Sequence, residues 1–295
     1  MKNIIVVTGG AGFIGTSLIS FFLKKTKFNI ISIDNYTSGF ASNHIRNKRV
    51  LYINSDTKNI SKILDSKKKF IKTIFHFGEF SRIHQSFVNA NACLSSNIVG
   101  TAEVFSFCLK NKIKIIYSAT SASLGNFGKD QDLSPYSLTK SKNLKLLIQL
   151  NQWFGLKYEV VYFYNVYGPG HIRTGKMATV IGIFENQYLK KKPLTVVRPG
   201  YQSRKFTHID DTIRGCYLAW KKNLNRHYLL SNSKSYSILQ VAKMFKDEII
   251  FIKKKRGERF RSSVVNMSNN IKLYKINCKI NLKNYVKNFK NQNYL

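Results

Sequence analysis

The residues whose types and spacing best suit catalysis are a tyrosine and a lysine four positions apart, Tyr136 and Lys140. On an α-helix this spacing places both side chains on one face. A phenol ionises near pH 10, so acting as a base near neutrality requires lowering its pKa by roughly three units, or about 4 kcal/mol. A neighbouring ammonium shifts the pKa in that direction. Because the spacing is common by chance, the surrounding residues must decide whether the pair is a site.

Strand-length apolar runs alternate with longer amphipathic stretches along the first half of the chain. This alternation predicts an α/β fold, a doubly wound, Rossmann-like parallel sheet with helices on both faces. The predicted strands are Ile4–Thr8, Ile30–Ile33, Thr73–Phe77, Ile113–Ser118 and Tyr158–Tyr164. The predicted helices are Ile14–Lys24, Ala92–Lys110 and Tyr136–Phe154.

The helix that carries Tyr136 and Lys140 has clear signals at both ends. Ser134 can cap its N-terminus, Pro135 suits its first turn, and Gly155 suits its exit. We therefore expect the tyrosine–lysine pair to lie in the first turns of a regular helix.

A glycine-rich segment, Thr8–Gly15, follows the first strand and opens the first helix. It satisfies the pattern Gly-x-Gly-x-x-Gly through Gly10, Gly12 and Gly15. Glycines let the backbone approach a pyrophosphate, and the helix N-terminus offers unpaired N–H groups and partial positive charge. The second strand ends at Asp34, where a carboxylate can accept hydrogen bonds from both ribose hydroxyls and would repel a 2′-phosphate. The sequence therefore predicts NAD rather than NADP as the cofactor.

Hydroxyl side chains cluster where the strand Ile113–Ser118 ends, in the segment Ser118–Gly125. At the carboxyl end of a parallel strand they would face the crevice in which such sheets bind ligands. Thr120 could donate a hydrogen bond to a reacting oxygen there, whereas most of the other hydroxyls fit an ordinary Ser/Thr-rich turn.

Taken together, these segments resemble the NAD-dependent sugar epimerase/dehydratase family, an extended short-chain dehydrogenase group. Four further segments agree with its motifs in the family's order. They are His76–Ser81, Asn97–Thr101, Tyr164–Pro169 and Arg204–Asp211. The similarity covers about residues 1 to 265, and the motifs are jointly specific.

The resemblance implies roles for individual residues. Thr120, Tyr136 and Lys140 would be the catalytic residues, with Thr120 favoured over Ser121 by counting back from Gly125. The implied cofactor-binding residues are Gly9, Gly12, Phe13, Ile14, Gly15, Asp34, Asn35, Asp56, Asn97 and Lys140. The implied substrate-binding residues are Ser81, Thr120, Asn165, Arg204 and Arg256, with Lys255 as the alternative to Arg256 and Glu258 as a nearby ribose contact.

The resemblance also bears on the reaction. Family members share oxidation at the sugar C4, and dehydratases carry an acid pair after the catalytic threonine. Here Thr120 is followed by Ser121 and Ala122, without a carboxylate. We therefore expect 4-epimerisation of a UDP-hexose, with dehydratase, reductase or decarboxylase chemistry on the same scaffold as the alternative. A heptose 6-epimerase ranks lower, because its second lysine would fall at Thr174, two places from Lys176.

One residue departs from the family pattern. Glu79 stands where a small residue is usual, after the predicted strand Thr73–Phe77. Two interpretations remain open: an added acid or base, or a polar residue on the rim of the site.

The domain boundaries are predicted from where the strand–helix rhythm weakens. Residues 1–165 would form the NAD-binding domain, rejoined by about 205–228. Residues 166–204 and 229–295 would form a smaller C-terminal substrate-binding region. The Lys/Asn-rich tail from about Asn269 is predicted to be poorly ordered.

Composition sets the remaining expectations. Forty-nine Lys and Arg against fourteen Asp and Glu give a net charge of +35, which would attract anionic metabolites or nucleic acid. A nucleic-acid-binding protein that reuses the fold is therefore a second, less favoured alternative. Four scattered cysteines predict free thiols and a cytoplasmic protein. No metal-ligand spacing with Cys or acidic residues occurs at five of the six histidines, His44, His84, His171, His208 and His227. No run predicts membrane insertion, and apolar faces on Ala92–Lys110 and Tyr136–Phe154 predict a homodimer.

Overall fold

A large parallel sheet forms the centre of the computed structural model, which describes residues 3–121, 131–253, 256–257 and 273–293. The first six strands are β1 (Ile4–Thr8), β2 (Asn29–Asp34), β3 (Val50–Asn54), β4 (Ile71–His76), β5 (Lys114–Thr120) and β6 (Tyr158–Phe163). The next four are β7 (Val166–Tyr167), β8 (Leu194–Val197), β9 (Ser203–Lys205) and β10 (Thr207–His208). The last four are β11 (His227–Leu230), β12 (Ser235–Ser237), β13 (Ile249–Ile252) and β14 (Leu273–Lys275).

Eight of these strands pair in the order β14-β11-β6-β5-β4-β1-β2-β3, and every neighbouring pair is parallel. The chain runs outward from β1 to β3 and then returns to place β4 on the other side of β1. This reversal creates a switch point between the carboxyl ends of β1 and β4, where doubly wound sheets bind ligands. The predicted fold class is confirmed.

The helices begin with α1 (Phe13–Lys25), α2 (Ile60–Leu64), α3 (Ile83–Val88), α4 (Ala90–Leu94) and α5 (Thr101–Lys110). A π-helical turn, Ser95–Gly100, joins α4 to α5. The remaining helices are α6 (Pro135–Phe154), α7 (Val180–Leu189), α8 (Ile209–Lys221), α9 (Ile238–Phe245) and α10 (Leu282–Gln292). Short 3₁₀ turns occupy Ala41–Asn43, Thr57–Asn59 and Asp65–Phe70.

Helices cover both faces of the large sheet. On one face α2, α5 and α6 bury Leu64, Val104 and Leu147 against the strands. On the other, α1 and α8 bury Phe22 and Ile213. Because both faces are covered, the central strands are rich in apolar residues, as in β1, where all five residues are buried. These apolar runs are why the predicted strands start or end within a residue or two of the observed ones.

Helix α6 ends where its sequence signals place the ends. The Ser134 hydroxyl accepts a hydrogen bond from the Ser137 backbone N–H at 3.1 Å, and Pro135 occupies the first turn. Gly155 adopts the left-handed conformation at φ +70°, which a residue with a Cβ rarely takes. These caps fix the rotational position of the helix and hence the direction of Tyr136 and Lys140.

The C-terminal tail contains an ordered helix, contrary to the prediction of poor order. Asn281 caps α10 by accepting from the Lys283 backbone N–H at 2.8 Å. The helix buries Leu282, Val286 and Phe289 in the core of the smaller region, beside α7 and α9. Lysines and asparagines dominate the composition, but the three apolar side chains recur at helical spacing and supply a packing face.

The chain also returns from the smaller region to the large sheet at a place that the sequence did not predict. Strand β14 falls in the range predicted for the smaller region, yet it pairs with β11 as the edge of the large sheet. Three residues, Leu273–Lys275, are too few to show a strand period in the sequence.

The helical run Ala90–Lys110 is long and apolar enough to cross a membrane by length and composition alone, with a mean hydropathy of 1.3. In the fold it packs Val104, Phe105 and Cys108 into the core against the sheet. This core packing accounts for the apolar composition of its inner side.

Candidate functional site

The glycine-rich loop forms a cradle at the end of β1. A Cβ on Gly15 would lie 2.2 Å from the Gly9 carbonyl oxygen, so the helix can approach the loop only because residue 15 is glycine. Gly9 itself has φ +70° and lies against the Phe77 backbone. Among the described residues no side chain caps α1, and its first turn carries no acid. The N–H groups at its start are thus available to a pyrophosphate, and the cradle fits a dinucleotide.

Asp34 lies beside this cradle at the end of β2. One carboxylate oxygen accepts from the Ala11 backbone N–H and the other from the Tyr36 backbone N–H, both at 2.9 Å. The side chain is buried, and these bonds hold its charge where a cofactor ribose would lie. Asn35 donates to Asp56 at 2.7 Å, so two further residues predicted for the cofactor meet at the same edge.

Tyr136 and Lys140 lie at the carboxyl edge of the sheet, as their helix predicted. Both are buried, and the Tyr136 ring packs against Cys93, Phe80 and Ile83. The Lys140 ammonium donates to the Ser118 backbone carbonyl, two residues before Thr120 at the end of β5. The structure therefore brings the helix pair and the hydroxyl strand end together. Residues 122–130, including the Gly125 used to choose Thr120, lie outside the described residues.

Glu79 is not a rim residue, because its side chain is only 3% exposed and forms an ion pair with Lys140. Its other oxygen accepts from Thr101 at 3.1 Å, Tyr117 at 3.2 Å and Asn143 at 3.1 Å. Burial lowers the pKa of Lys140, and the Glu79 carboxylate acts in the opposite direction. The sequence singled out Glu79 as unusual but gave no sign of which partner it would meet.

Asn97 is fully buried behind this pair. Its carbonyl oxygen accepts from the Phe80 backbone N–H at 2.6 Å, and its amide donates to Thr139 at 3.0 Å. It thereby ties the loop after β4 to helix α6. These bonds hold the loop and the helix in fixed positions relative to each other.

The residues predicted to bind a diphosphate are divided between loops. Asn165, exposed after β6 with φ +35°, donates to the Lys205 carbonyl at 2.8 Å, next to Arg204 in β9. Ser81 is exposed after β4. Arg256 lies against α3, with its guanidinium carbon 4.4 Å from the centre of the Phe87 ring.

A cavity of about 450 Å³ lies between α3 and the smaller region. Its lining residue Ile83 also packs against the buried cluster of Cys93 and Tyr136. Its lining residues are Arg82, Ile83, His84, Gln85, Gly175, Lys176, Ala178 and Ile183.

Arg82, which sequence reasoning missed, lines this cavity. Its guanidinium donates to the Met177 carbonyl at 3.1 Å and 2.6 Å, joining the loop after β4 to the loop before α7. The sequence signal that could have pointed to Arg82 is a basic residue three positions after Glu79. Lys176 also lines the cavity.

Within the described ranges no group of three or more His, Cys, Asp or Glu residues could hold a metal ion.

Comparison with known proteins agrees with this geometry. Residues 5–231 match the model of the NAD dependent epimerase/dehydratase family. A UDP-glucose epimerase of Bacillus subtilis, named as uncharacterized, is 28% identical over 264 residues, 82% of this chain and 81% of its own. An ADP-L-glycero-D-manno-heptose-6-epimerase of Fusobacterium nucleatum is 29% identical over 235 residues, 71% of this chain and 68% of its own.

A solved structure of UDP-glucuronic acid 4-epimerase from Bacillus cereus, in complex with UDP-glucuronic acid and NAD, has a TM-score of 0.84 at 24% identity. The match covers 99% of each chain. Similar proteins also include a decarboxylase and a dehydratase of nucleotide sugars. The match over more than half of the chain and the glycine cradle lead to one conclusion: this protein is an NAD-dependent enzyme of the epimerase/dehydratase family.

Proposed function

We propose that this enzyme epimerises a nucleotide-diphosphate sugar, at C4 of a UDP-hexose, through a transient 4-keto sugar. The observation that carries the proposal is the bond from Lys140, one helical turn after Tyr136, to the hydroxyl-bearing end of β5. The strand end carries Thr120 and Ser121 rather than the acid pair that dehydration needs. Epimerisation needs no further acid–base pair, because the keto sugar turns over within the site.

Tyr136 removes the proton from the C4 hydroxyl, and Thr120 donates a hydrogen bond to the same oxygen. NAD held in the glycine-rich cradle at the end of β1 would supply the hydride acceptor and donor for C4. Lys140 stabilises the phenolate through its positive charge and binds the nicotinamide ribose. General acid–base catalysis of this kind contributes about 10² to 10⁴ in rate.

The substrate's diphosphate would be held from the smaller region. Arg204 presents a planar guanidinium that can donate two parallel bonds to a phosphate. Asn165 donates to the neighbouring Lys205 carbonyl, and Arg256 packs on Phe87 of α3. Ser81 is proposed as a sugar or cofactor contact from the loop after β4.

The test is incubation with UDP-, dTDP- and ADP-sugars followed by product analysis. We expect an epimerised hexose with no net accumulation of NADH. A 4-keto-6-deoxy product or loss of CO₂ would replace the proposal with dehydration or decarboxylation. Salt-dependent RNA binding without turnover of any sugar would favour the nucleic-acid alternative suggested by the charge of +35.

A second candidate is epimerisation at C6 of an ADP-heptose. The specific observation in its favour is Lys176, which lines the cavity although the ungapped alignment placed the second base at Thr174. Lys176→Met distinguishes the two. Loss of at least about a hundredfold in heptose turnover would support the C6 reaction. Hexose turnover unchanged by the substitution would support the C4 reaction.

We also propose that the enzyme works as a cytoplasmic homodimer. The run Ala90–Lys110 exposes Leu94, Ile98 and Val99, and α6 exposes Leu138 and Leu146. Two such helices from each copy could form a four-helix contact that covers these side chains. The four free cysteines support a reducing compartment. A light-scattering mass of 34 kDa at working concentration would contradict the dimer.

A further inference from the structure

The buried carboxylate of Glu79 has no place in the mechanism given above. It lies just after β4, inside the framework that holds Lys140, and its side chain is 3% exposed. One oxygen meets the Lys140 ammonium, and the other accepts from hydroxyl groups of Thr101 and Tyr117 and from the Asn143 amide. The Lys140 ammonium and the Asn143 amide group can only donate, and the Thr101 and Tyr117 hydroxyl groups donate here, so these contacts fit an acceptor-only carboxylate.

A directed chain of hydrogen bonds supports this charge state. The Thr8 hydroxyl oxygen accepts from the backbone N–H groups of Phe77 and Gly78, so its own proton goes to His76 Nδ1 at 2.8 Å. The other His76 nitrogen then carries the proton and donates to Thr101 at 3.0 Å. Thr101 in turn donates to Glu79. This series of hydrogen bonds therefore orients the Thr101 hydroxyl group as a donor to the Glu79 carboxylate.

Among the described residues, the Lys140 ammonium is surrounded by His76 and Glu79 from the β4 end, Cys93 from α4 and Tyr117 from β5, and Glu79 forms an ion pair with it. Tyr136 lies one helical turn away on α6. Burial raises the pKa of the Cys93 thiol to about 11 and lowers that of His76 to about 4, so both are uncharged near neutrality. Burial also raises the pKa of Tyr117. Among these described groups, Glu79 supplies the compensating charge before Tyr136 ionises.

We propose that Glu79 is the counter-ion that keeps the buried Lys140 ammonium charged and fixed, so that the lysine can act on Tyr136 and the cofactor ribose. An ammonium removed from water without an opposing charge loses its proton. Glu79 acts through Lys140 and is therefore a positioning residue. Its effect on turnover rests on the proposed function, whereas its effect on the charge of Lys140 does not.

Two substitutions separate charge from shape. Glu79→Gln keeps the shape and removes the charge, whereas Glu79→Asp keeps the charge on a side chain one methylene shorter. If Glu79 is a counter-ion, the Gln variant loses activity at a pH at least about one unit lower on the alkaline side. The Asp variant keeps the wild-type alkaline limb even where its kcat falls. The reverse ranking, with Gln like wild type and Asp shifted, would overturn the proposal.

The charge of Lys140 can be followed directly in the full-length protein. Lysine labelled with ¹³C at Cε reports its own titration by NMR, and Lys140→Met identifies the resonance. We expect the Lys140 midpoint to fall by at least about one pH unit in Glu79→Gln and to change less in Glu79→Asp. Equal midpoints in the wild type and the Gln variant would reject the counter-ion role, whatever the sugar.

This readout separates the two proposals. A shifted midpoint in an enzyme that turns over no sugar removes the proposed function and keeps the role of Glu79. If Glu79→Gln does not fold, the double variant Glu79→Gln/Lys140→Met decides. Recovery of folding supports an ammonium left without its counter-ion, whereas failure of both variants reduces Glu79 to a packing role and overturns the proposal.

Discussion

Two buried carboxylates, one in each part of the molecule, illustrate how the same physical device serves different ends. Glu79 belongs to the large sheet and pairs with Lys140. Glu185 lies on α7 in the smaller region, where His171 at 2.8 Å, Arg173 at 2.7 Å and Tyr285 at 2.7 Å surround it. Both carboxylates are satisfied by charged and neutral donors, as burial of a charge requires.

The difference lies in what the partners can reach. Lys140, the partner of Glu79, lies on α6, four residues from Tyr136, at the edge where sheets of this type bind ligands. The partners of Glu185 join the loop after β7 to the C-terminal helix α10, so that cluster connects segments far apart in sequence. The comparison shows that one buried ion pair lies beside the proposed site and the other joins distant segments of the chain.

The largest expected effect comes from removing one hydroxyl in each region. Tyr136→Phe should lower kcat at least about a hundredfold, since the phenol carries the proton, with little change in the free energy of unfolding. Tyr285→Phe, the matched control, removes a donor to Glu185 and should cost about 1 to 2 kcal/mol of stability with kcat nearly unchanged. Steady-state kinetics and denaturant unfolding measure both. Wild-type turnover in Tyr136→Phe would remove that residue from the mechanism.

Next in size is the loss of the Glu185 charge. Glu185→Gln leaves His171 and Arg173 without their anion and should lower the free energy of unfolding by about 3 kcal/mol. Arg173 is 44% exposed, so water screens part of this loss. Turnover by the folded fraction should stay within about threefold of wild type, unlike that of Glu79→Gln. A large fall in kcat without loss of stability would erase the distinction between the two clusters.

A smaller effect should appear as acid destabilisation. Burial lowers the pKa of His76, which lies within the hydrogen-bond chain to Glu79, to about 4. Between about pH 6.5 and 4 the unfolded chain binds the proton and the folded protein does not, so stability falls as the pH is lowered. By pH 5 this residue accounts for about 2 kcal/mol.

His76→Asn should flatten the dependence of unfolding free energy on pH over that interval. His227, whose pKa burial also lowers to about 4, gives the comparison variant away from Glu79. Only the His76 substitution should also alter turnover. An unchanged pH slope in both variants would show that other groups control acid unfolding.

The smallest effect concerns a third carboxylate, Asp34, which is held by backbone N–H groups rather than by a cation. Asp34→Asn should weaken NAD binding about tenfold, because a charged acceptor for the ribose is lost, with kcat little changed. Fluorescence titration with NADH measures the affinity. If Asp34→Asn binds NAD as tightly as the wild type does and gains no affinity for NADP, Asp34 is not part of the ribose site.

Much of the fold follows from local pattern. Apolar runs buried on both faces predicted the central strands, and Ser134 with Gly155 set the ends of α6. Strand β14 and helix α10 were missed because their stability depends on their neighbours in the fold. Strand β14 is too short to show a period in the sequence. Helix α10 lies in a lysine-rich stretch, and its three apolar residues are informative only because a core lies beside them. The candidate site shows the same division, because Arg82 gains meaning only from a carbonyl 95 residues away.

The sequence by itself determined the elements and motifs whose causes are local: strand and helix periods, the glycine turn, the capped helix, and the four-residue spacing of Tyr136 and Lys140. Tertiary structure alone decided which charges meet. The ion pair of Glu79 with Lys140 joins residues 61 positions apart. The energy of such a pair depends on the distance and burial created when β4, β5 and α6 pack together, and neither quantity exists in the unfolded chain.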